Sequence, residues 1–421
     1  MNEHPLAFDI LICGGGPSGI AAAVAAASSG AKTLLIERMG RLGGTSTNGV
    51  VHQIPLWTDT PYMRDLHTLA EAHGNDSEFL DIAYADTVAA SGAEILLHAP
   101  VSGVLKAPGA LPTLGGVRLA TPTGPLDILA KRIVDATGDG IVAFLAGAKY
   151  DVGRASDGLM QPATIMFRIS GVNHAETMEA NGGRANYRFP EGTWDHVTMN
   201  ARDRGELPPT VGKVRTYLGH RETDRYINAT QVNYVDGANV FDLTKAEIEG
   251  RKQVPVIMDF LRKRAPGFGD AYVSLMPAMV GVRETRRFRG IATLTRADCL
   301  AGRQWPDAVV VGCRAPLDVH NPTGPGQAEG VSQSHPAGKD PDPDPYDIPY
   351  GCLVPEDVDG LLLAGRCISG DHDAHASYRW QTVCMATGAA AGFAAAESLR
   401  QGVQPRDLDI RPVQARLGIE R

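Results

Sequence analysis

Apolar residues run almost unbroken from Phe8 to Cys13, give way to Gly14-Gly15-Gly16-Pro17-Ser18-Gly19, and resume as an alanine-rich stretch from Ile20 to Ala27. That pattern predicts a buried strand, a tight turn and a helix. A second apolar run, residues 31–36, ends in Glu37, and Arg38 opens a loop of small and hydroxylated residues that reaches Gly49. Residues 76–91 carry an amphipathic period, residues 92–101 read as a strand, and turn residues split 103–106, 116–120 and 125–130 into a β-meander. Residues 131–135 predict another buried strand, closed by Ala136-Thr137-Gly138-Asp139-Gly140 and followed by a helix over 141–147.

The texture changes near residue 151. Residues 161–169 predict a strand, after which polar, glycine- and asparagine-rich stretches carry scattered aromatics, Trp194, Tyr217, Tyr226 and Tyr234 among them. A helix is expected over 244–264, entered from Asp242 and Leu243 and ending before Pro266. Residues 309–312 and 360–369 return to buried strands, and a long helix is expected over 380–399 with Gly388 and Gly392 on its packed face. Residues 321–347, rich in Pro, Gly, Ser and Asp, are expected to form a mobile surface loop. The expected class is α/β. A Rossmann-like domain with an inserted meander occupies residues 1–150 and 273–421, around an α+β substrate-capping domain at 151–272.

The spacing of Gly14, Gly16 and Gly19 is mechanical. The first permits the turn, the second lets backbone approach a pyrophosphate, and the third lets helix and strand pack closely. Free N–H groups at the helix start then face the phosphates without a lysine. Glu37 stands where a carboxylate accepts from ribose hydroxyls, and its charge argues against a 2′-phosphate there.

Composition narrows the class further. The chain has 421 residues, 43% hydrophobic and 21% charged, with a net charge of −8, which disfavours nucleic acid or an anionic membrane as partner. No apolar run reaches the roughly 18 to 20 residues of a membrane span. The N-terminus enters the first strand at once, leaving no room for a cleaved signal. The six cysteines form no C-x-x-C pair, which excludes a disulfide reductase and a zinc site and suits a cytoplasmic protein with reduced thiols.

Taken together, residues 14–47, 134–147 and 281–396 resemble the FAD-dependent oxidoreductases related to the fumarate reductase and succinate dehydrogenase flavoproteins. The motifs that carry the likeness are G-V-R-E-T-R-R at 281–287, D-V-H at 318–320, I-P-Y and L-V-P between 348 and 355, L-L-L-A-G-R at 361–366, and S-Y-R at 377–379 with Cys384 and G-A-A-A-G at 388–392. The resemblance implies FAD and a glutathione-reductase-type nucleotide fold. It places the flavin at Gly14, Gly16, Pro17, Ser18, Gly19, Glu37 and Arg38, and at Gly43, Gly44, Thr45 and Ser46. Val101 would lie at the adenine, with Ala136, Thr137, Gly138, Asp139, Gly365, Arg366 and Ser377 completing the set. Arg379 is implied as a substrate or flavin contact. The second substrate arginine and the capping-domain acid of those enzymes have no counterpart in the sequence.

Other candidates rest on residue chemistry. His372, His375 and His52 are the candidate acid/base groups. The arginines of 283–289 read either as an ion-paired strand or as a carboxylate-binding pair. Asp318 and His320 are read as structural, since neighbours along a strand face opposite ways. Cys384 is either a flavin thioether or a packed small hydrophobe. The expected activity is transfer of hydride from a small organic substrate to flavin N5. The electron acceptor is left open between oxygen, a nicotinamide and a partner protein, and a homodimer is also left open. The alternatives are a monooxygenase using NAD(P)H and oxygen, and a flavin-binding protein without turnover.

Overall fold

The computed structural model describes residues 6–51, 54–58, 67–69, 71–72, 76–180, 188–189, 192–326 and 343–420. His52 and much of the expected loop at 321–347 lie outside them. The chain builds β1 (Leu6–Cys13), α1 (Pro17–Ala27) and β2 (Thr33–Ile36). Then come α2 (Ser77–Ala90), β3 (Glu94–Leu96), β4 (Val101–Ala107), β5 (Thr113–Thr121), β6 (Gly124–Asp135) and α3 (Ile141–Ala146). In space β3, β2, β1 and β6 run parallel in that order, the arrangement of a Rossmann-like α/β sheet.

The meander belongs to the same sheet. β6 pairs antiparallel with β5 over its first half and parallel with β1 over its second, so two expected strands are one. The polar pair Lys131-Arg132 does not end it, because both side chains leave the sheet. Lys131 reaches Asp9 at 2.8 Å, and the Arg132 Nε donates to Ser398 Oγ at 2.9 Å.

A second, antiparallel sheet is made by β7 (Met166–Ser170), β8 (Arg215–Leu218), β9 (Arg225–Asn228) and, beyond α4 (Val240–Arg264), β10 (Tyr272–Leu275), in the order β8-β9-β7-β10. Phe167 and Ile169 on one face share a buried cluster with Ala246, Val254, Ile257 and Leu261 of α4. Pro255 stands inside α4, on its exposed side. The helix starts before residue 244 because the Asn239 side chain accepts from the N–H groups of Phe241 and Asp242. The strand expected from 161 starts only at Met166. Upstream, Ala163 and Thr164 make single bridges to Val232 and Gly281.

The chain returns with β11 (Leu361–Leu363), which adds to β6 in parallel, and continues through α5 (His372–Tyr378), α6 (Gln381–Gln401) and a short helix over Arg411–Arg416. α6 lies directly on α1. A methyl at Gly388 would stand 2.0 Å from Ser18 O, and one at Gly392 would stand 2.3 Å from Ala22 O. No described helix is long and apolar enough to cross a membrane.

Candidate functional site

A cavity of about 1350 Å³ runs from the start of α1 to the underside of the second sheet. That exceeds the roughly 300–1,000 Å³ of a pocket for one drug-sized ligand, and leaves room for two. At one end it is walled by Gly14, Gly16, Pro17, Ser18, Glu37, Arg38, Gly44 and Thr45, together with Ala136, Thr137, Gly138 and Asp139 beside Gly14. Gly14 has φ +103°, and a methyl there would lie 2.5 Å from Ala136 O, so only glycine fits. At Gly19 a methyl would lie 1.7 Å from Gly14 O, which makes it the packing glycine. Gly16 is different: a methyl would find nothing nearer than Gly44 Cα at 3.9 Å. The backbone at the helix start therefore faces open space, and no side chain caps it.

Glu37 is buried at the tip of β2, where its Oε2 accepts from Gly15 N–H at 2.6 Å and its Oε1 from Met39 N–H at 2.8 Å. These bonds hold a carboxylate at the cavity wall with lone pairs to spare. Asp139 is gripped by the Arg366 guanidinium, whose Nε also donates to Gly138 O at 3.2 Å.

At the other end stand Arg283, Asp318, His320 and Arg379. Arg379 Nη2 donates to Asp318 O at 2.8 Å and lies 3.2 Å from its Oδ2. His320 Nε2 is 3.2 Å from the same oxygen. Arg283 Nη1 donates to Pro162 O and Thr164 Oγ1, both at 2.6 Å. The side chains of Asp318, His320 and Arg379 keep 14–22% of their surface accessible. Burial pushes the Arg283 guanidinium down to about 9, helped by Arg379 and opposed by Asp318. Burial also lowers Arg379, against the pull of Asp318. By itself burial would raise the Asp318 carboxyl, yet His320, Arg379 and Arg283 hold it well below the usual carboxylate range. His320 is pushed down to about 4 by burial and Arg283, although Asp318 pulls the other way. At neutral pH the cluster is thus one carboxylate, one neutral imidazole and two guanidinium groups short of counter-ions.

The sequence profile of the FAD dependent oxidoreductase family matches residues 9–417. The chain belongs to this family. Its cofactor is FAD, and it is an enzyme. Among curated proteins it is similar to dihydrolipoyl dehydrogenase of Trypanosoma brucei brucei, with 40% identity over 68 residues, 16% of this chain and 14% of that protein. It is also similar to digeranylgeranylglycerophospholipid reductase of Thermoplasma volcanium, with 25% identity over 158 residues, 31% and 39% of the two chains. The matches therefore span well under half the length of these relatives. A geranylgeranyl bacteriochlorophyll reductase-like structure from Thermoplasma acidophilum aligns over 98% of this chain and 85% of its own, at 14% identity and a TM-score of 0.49.

The first end of the cavity in this FAD-dependent oxidoreductase suits the cofactor: an uncapped helix start beside the bare Gly16 for the pyrophosphate, and an anchored acid for the ribose. Some residues assigned from sequence do not line the cavity. Ser377 is fully buried, bonded to Tyr346 Oη at 2.6 Å and donating to Ala315 O, so its hydroxyl is spent on packing α5. Gly43 and Gly365, both at positive φ, shape turns, and the Ser46 hydroxyl donates to Gly43 O at 2.6 Å. Val101 sits in β4, opposite Leu119.

The two histidines of α5 are likewise set back from the cavity. His372 is 9% exposed, with Nδ1 3.0 Å from Glu284 Oε1. His375 is fully buried against Tyr378, and burial together with Arg287 and Arg379 holds it well below the ordinary histidine range. Among the described residues, the histidine that lines the cavity is His320. Residues 317–320 lie outside any strand, with turn bonds from Asp318 N–H to Pro316 O and from Val319 N–H to Leu317 O, and all four line the cavity, so the strand alternation read against the pair does not apply. The arginines of 283–289 divide. Arg283 faces the cavity, Arg287 is buried against Glu284, Arg286 lies 4.0 Å over the Phe144 ring, and Arg289 pairs with Asp151 at the surface. Cys384 lines the cavity as a thiol whose acidity burial weakens, to about 12, and which donates to Arg379 O at 3.3 Å.

Proposed function

We propose that this oxidoreductase moves hydride between FAD and a small organic molecule bearing a carboxylate. The observation that carries this reading is one cavity with a dinucleotide cradle at one end and Arg283, Arg379, Asp318 and His320 at the other. FAD supplies a two-electron acceptor for hydride when bound. The chain's own residues supply the rest. Two guanidinium groups with a single shared carboxylate leave a positive site, and an anion bound there recovers what burial of the cations costs. Arg379 is placed for a two-pronged grip that lysine cannot copy. His320 is neutral, and its Nε2–H donates to Asp318, which leaves Nδ1 unprotonated to take a proton from the substrate. Asp318 then stabilises the imidazolium, as a carboxylate does behind the histidine of a hydrolytic triad. The likeness of G-V-R-E-T-R-R and S-Y-R to the fumarate reductase and succinate dehydrogenase flavoproteins supports the same assignment. Electrons leave to oxygen, to a transiently bound nicotinamide or to a partner protein.

The test is anaerobic. The FAD-loaded protein is mixed in turn with hydroxy-, amino- and saturated carboxylic acids and with their neutral amides and alcohols, and flavin absorbance is followed. Bleaching by an acid but not by its amide is expected. Bleaching by neutral compounds alone would sink the reading, and hydroxylated product formed only with NAD(P)H and oxygen would favour a monooxygenase instead.

A further inference from the structure

The segment Gln161-Pro162-Ala163-Thr164, just ahead of β7, holds both arms of the proposed substrate site. Pro162 O and Thr164 Oγ1 receive the Arg283 guanidinium. The Gln161 side chain, 2% exposed, accepts from the His320 backbone N–H at 3.1 Å through Oε1. Facing away from His320, the Gln161 N–H donates to Glu284 Oε2 at 3.0 Å. The segment is stitched in place from two directions. Ala163 and Val232 exchange N–H···O bonds at 3.0 Å, and Thr164 and Gly281 exchange bonds at 3.0 and 2.8 Å.

Behind Gln161 stands Glu284, 1% exposed. Its Oε1 meets the Arg287 guanidinium and, at 3.0 Å, His372 Nδ1. His372 opens α5, and the residue that closes α5 is Arg379, which grips Asp318. Glu284 thus stands behind His320 through Gln161 and behind Asp318 through α5 and Arg379. Of these links only Arg379 lines the cavity.

We propose that Gln161, anchored by Glu284, is a positioning residue that sets where the His320 ring meets Asp318. This rests on the reading above in which His320 carries the proton. The physical argument is local. The His320 N–H is partly buried, so without the Gln161 oxygen it loses its protein acceptor, and a donor left unpaired away from bulk water is costly. The 318–320 backbone then moves to recover a partner, and the imidazole leaves the geometry that fixes its proton on Nε2. The charged groups around His320 are Arg283, Asp318 and Arg379, with Arg215 and Tyr217 of β8 beyond Arg283. None of them is altered by a change at Gln161.

The test uses Gln161→Met in the full FAD-loaded chain, a side chain of similar length with no amide oxygen. His320 is followed by NMR through an acid titration, which requires no substrate. Its midpoint is expected to rise by about one unit toward the ordinary histidine value, a tenfold change in proton affinity, as the ring leaves its buried place beside Arg283. With a substrate in hand, kcat is expected to fall about ten- to a hundredfold with little change in KM, the signature of a misplaced group. A His320 midpoint equal to that of the parent overturns the proposal, even if Gln161→Met unfolds more easily. Should Gln161→Met give no folded protein, Gln161→Asn, whose amide is one methylene short, is read by the same criteria. Failure of the parent reading shows separately, as full turnover in His320→Gln.

Discussion

At the scale of single residues, the position of His320 makes a prediction about pH. Its folded pKa of about 4 lies below the ordinary 6.5, so the neutral ring stabilises the fold fully above pH 6.5. That contribution is lost as pH falls from 6.5 toward 4, because the unfolded chain takes up the proton first. Asp318, held below its usual range, adds a loss at still lower pH of the same sign. Urea unfolding at pH 7 and pH 5 should therefore show a larger drop for the parent than for His320→Gln. A second prediction concerns the grip on substrate. Arg379→Lys keeps a cation but loses the planar fork, so KM for the carboxylate should rise about tenfold or more while the flavin spectrum stays unchanged. Side-chain chemistry was partly legible here. Arg379 could be named from S-Y-R, but Arg283 could not be separated from its three arginine neighbours, because a run of like residues does not say which one turns inward. Asp318 and His320 were visible and discounted on a rule for strands, whereas residues 317–320 form turns that bring them to the cavity together.

At the scale of elements, the glycine turn, the acid after β2 and the small-residue face of α6 could be read directly, since each is forced by backbone geometry. The contact between α1 and α6 carries the sharpest consequence. Gly388→Ala would set a methyl 2.0 Å from Ser18 O, and overpacking of that kind costs about 1–3 kcal/mol. Because Ser18 stands at the cradle, the same change should weaken FAD binding, whereas Gly402→Ala at the exposed end of α6 should leave it alone. Flavin titration and thermal melts of the two variants check this. Less legible were β6, which hides one strand behind a charged pair, and the stretch 161–165. There a strand-like composition is used for single bridges between the two sheets, an arrangement that only tertiary contacts decide.

At the scale of the molecule there are two buried clusters, one under each sheet, and the buried Glu284–Arg287 pair, with His372 beside it, lies on the segment that links Val280 of one to Phe288 of the other. Removing the charge with Glu284→Gln leaves Arg287 without its partner and should cost about 3–5 kcal/mol. Because that loss is structural, melting should shift with or without cofactor. FAD itself should protect the parent, by about 2.7 kcal/mol at a hundredfold excess over its Kd. The second, antiparallel sheet was legible only as a change of composition; its strand order and its share of the cavity depend on pairings between distant segments. Those distances also govern how the chain must assemble. β6 waits for β11, and the helix that presents the cradle waits for α6, so the sheet and its covering helix stay incomplete until residues 361–401 have been synthesised. A nascent chain stalled before residue 361 would expose one flank of β6 and the back of α1, the apolar surfaces that chaperones bind. Acquisition of the fold should be slow and governed by long-range closure.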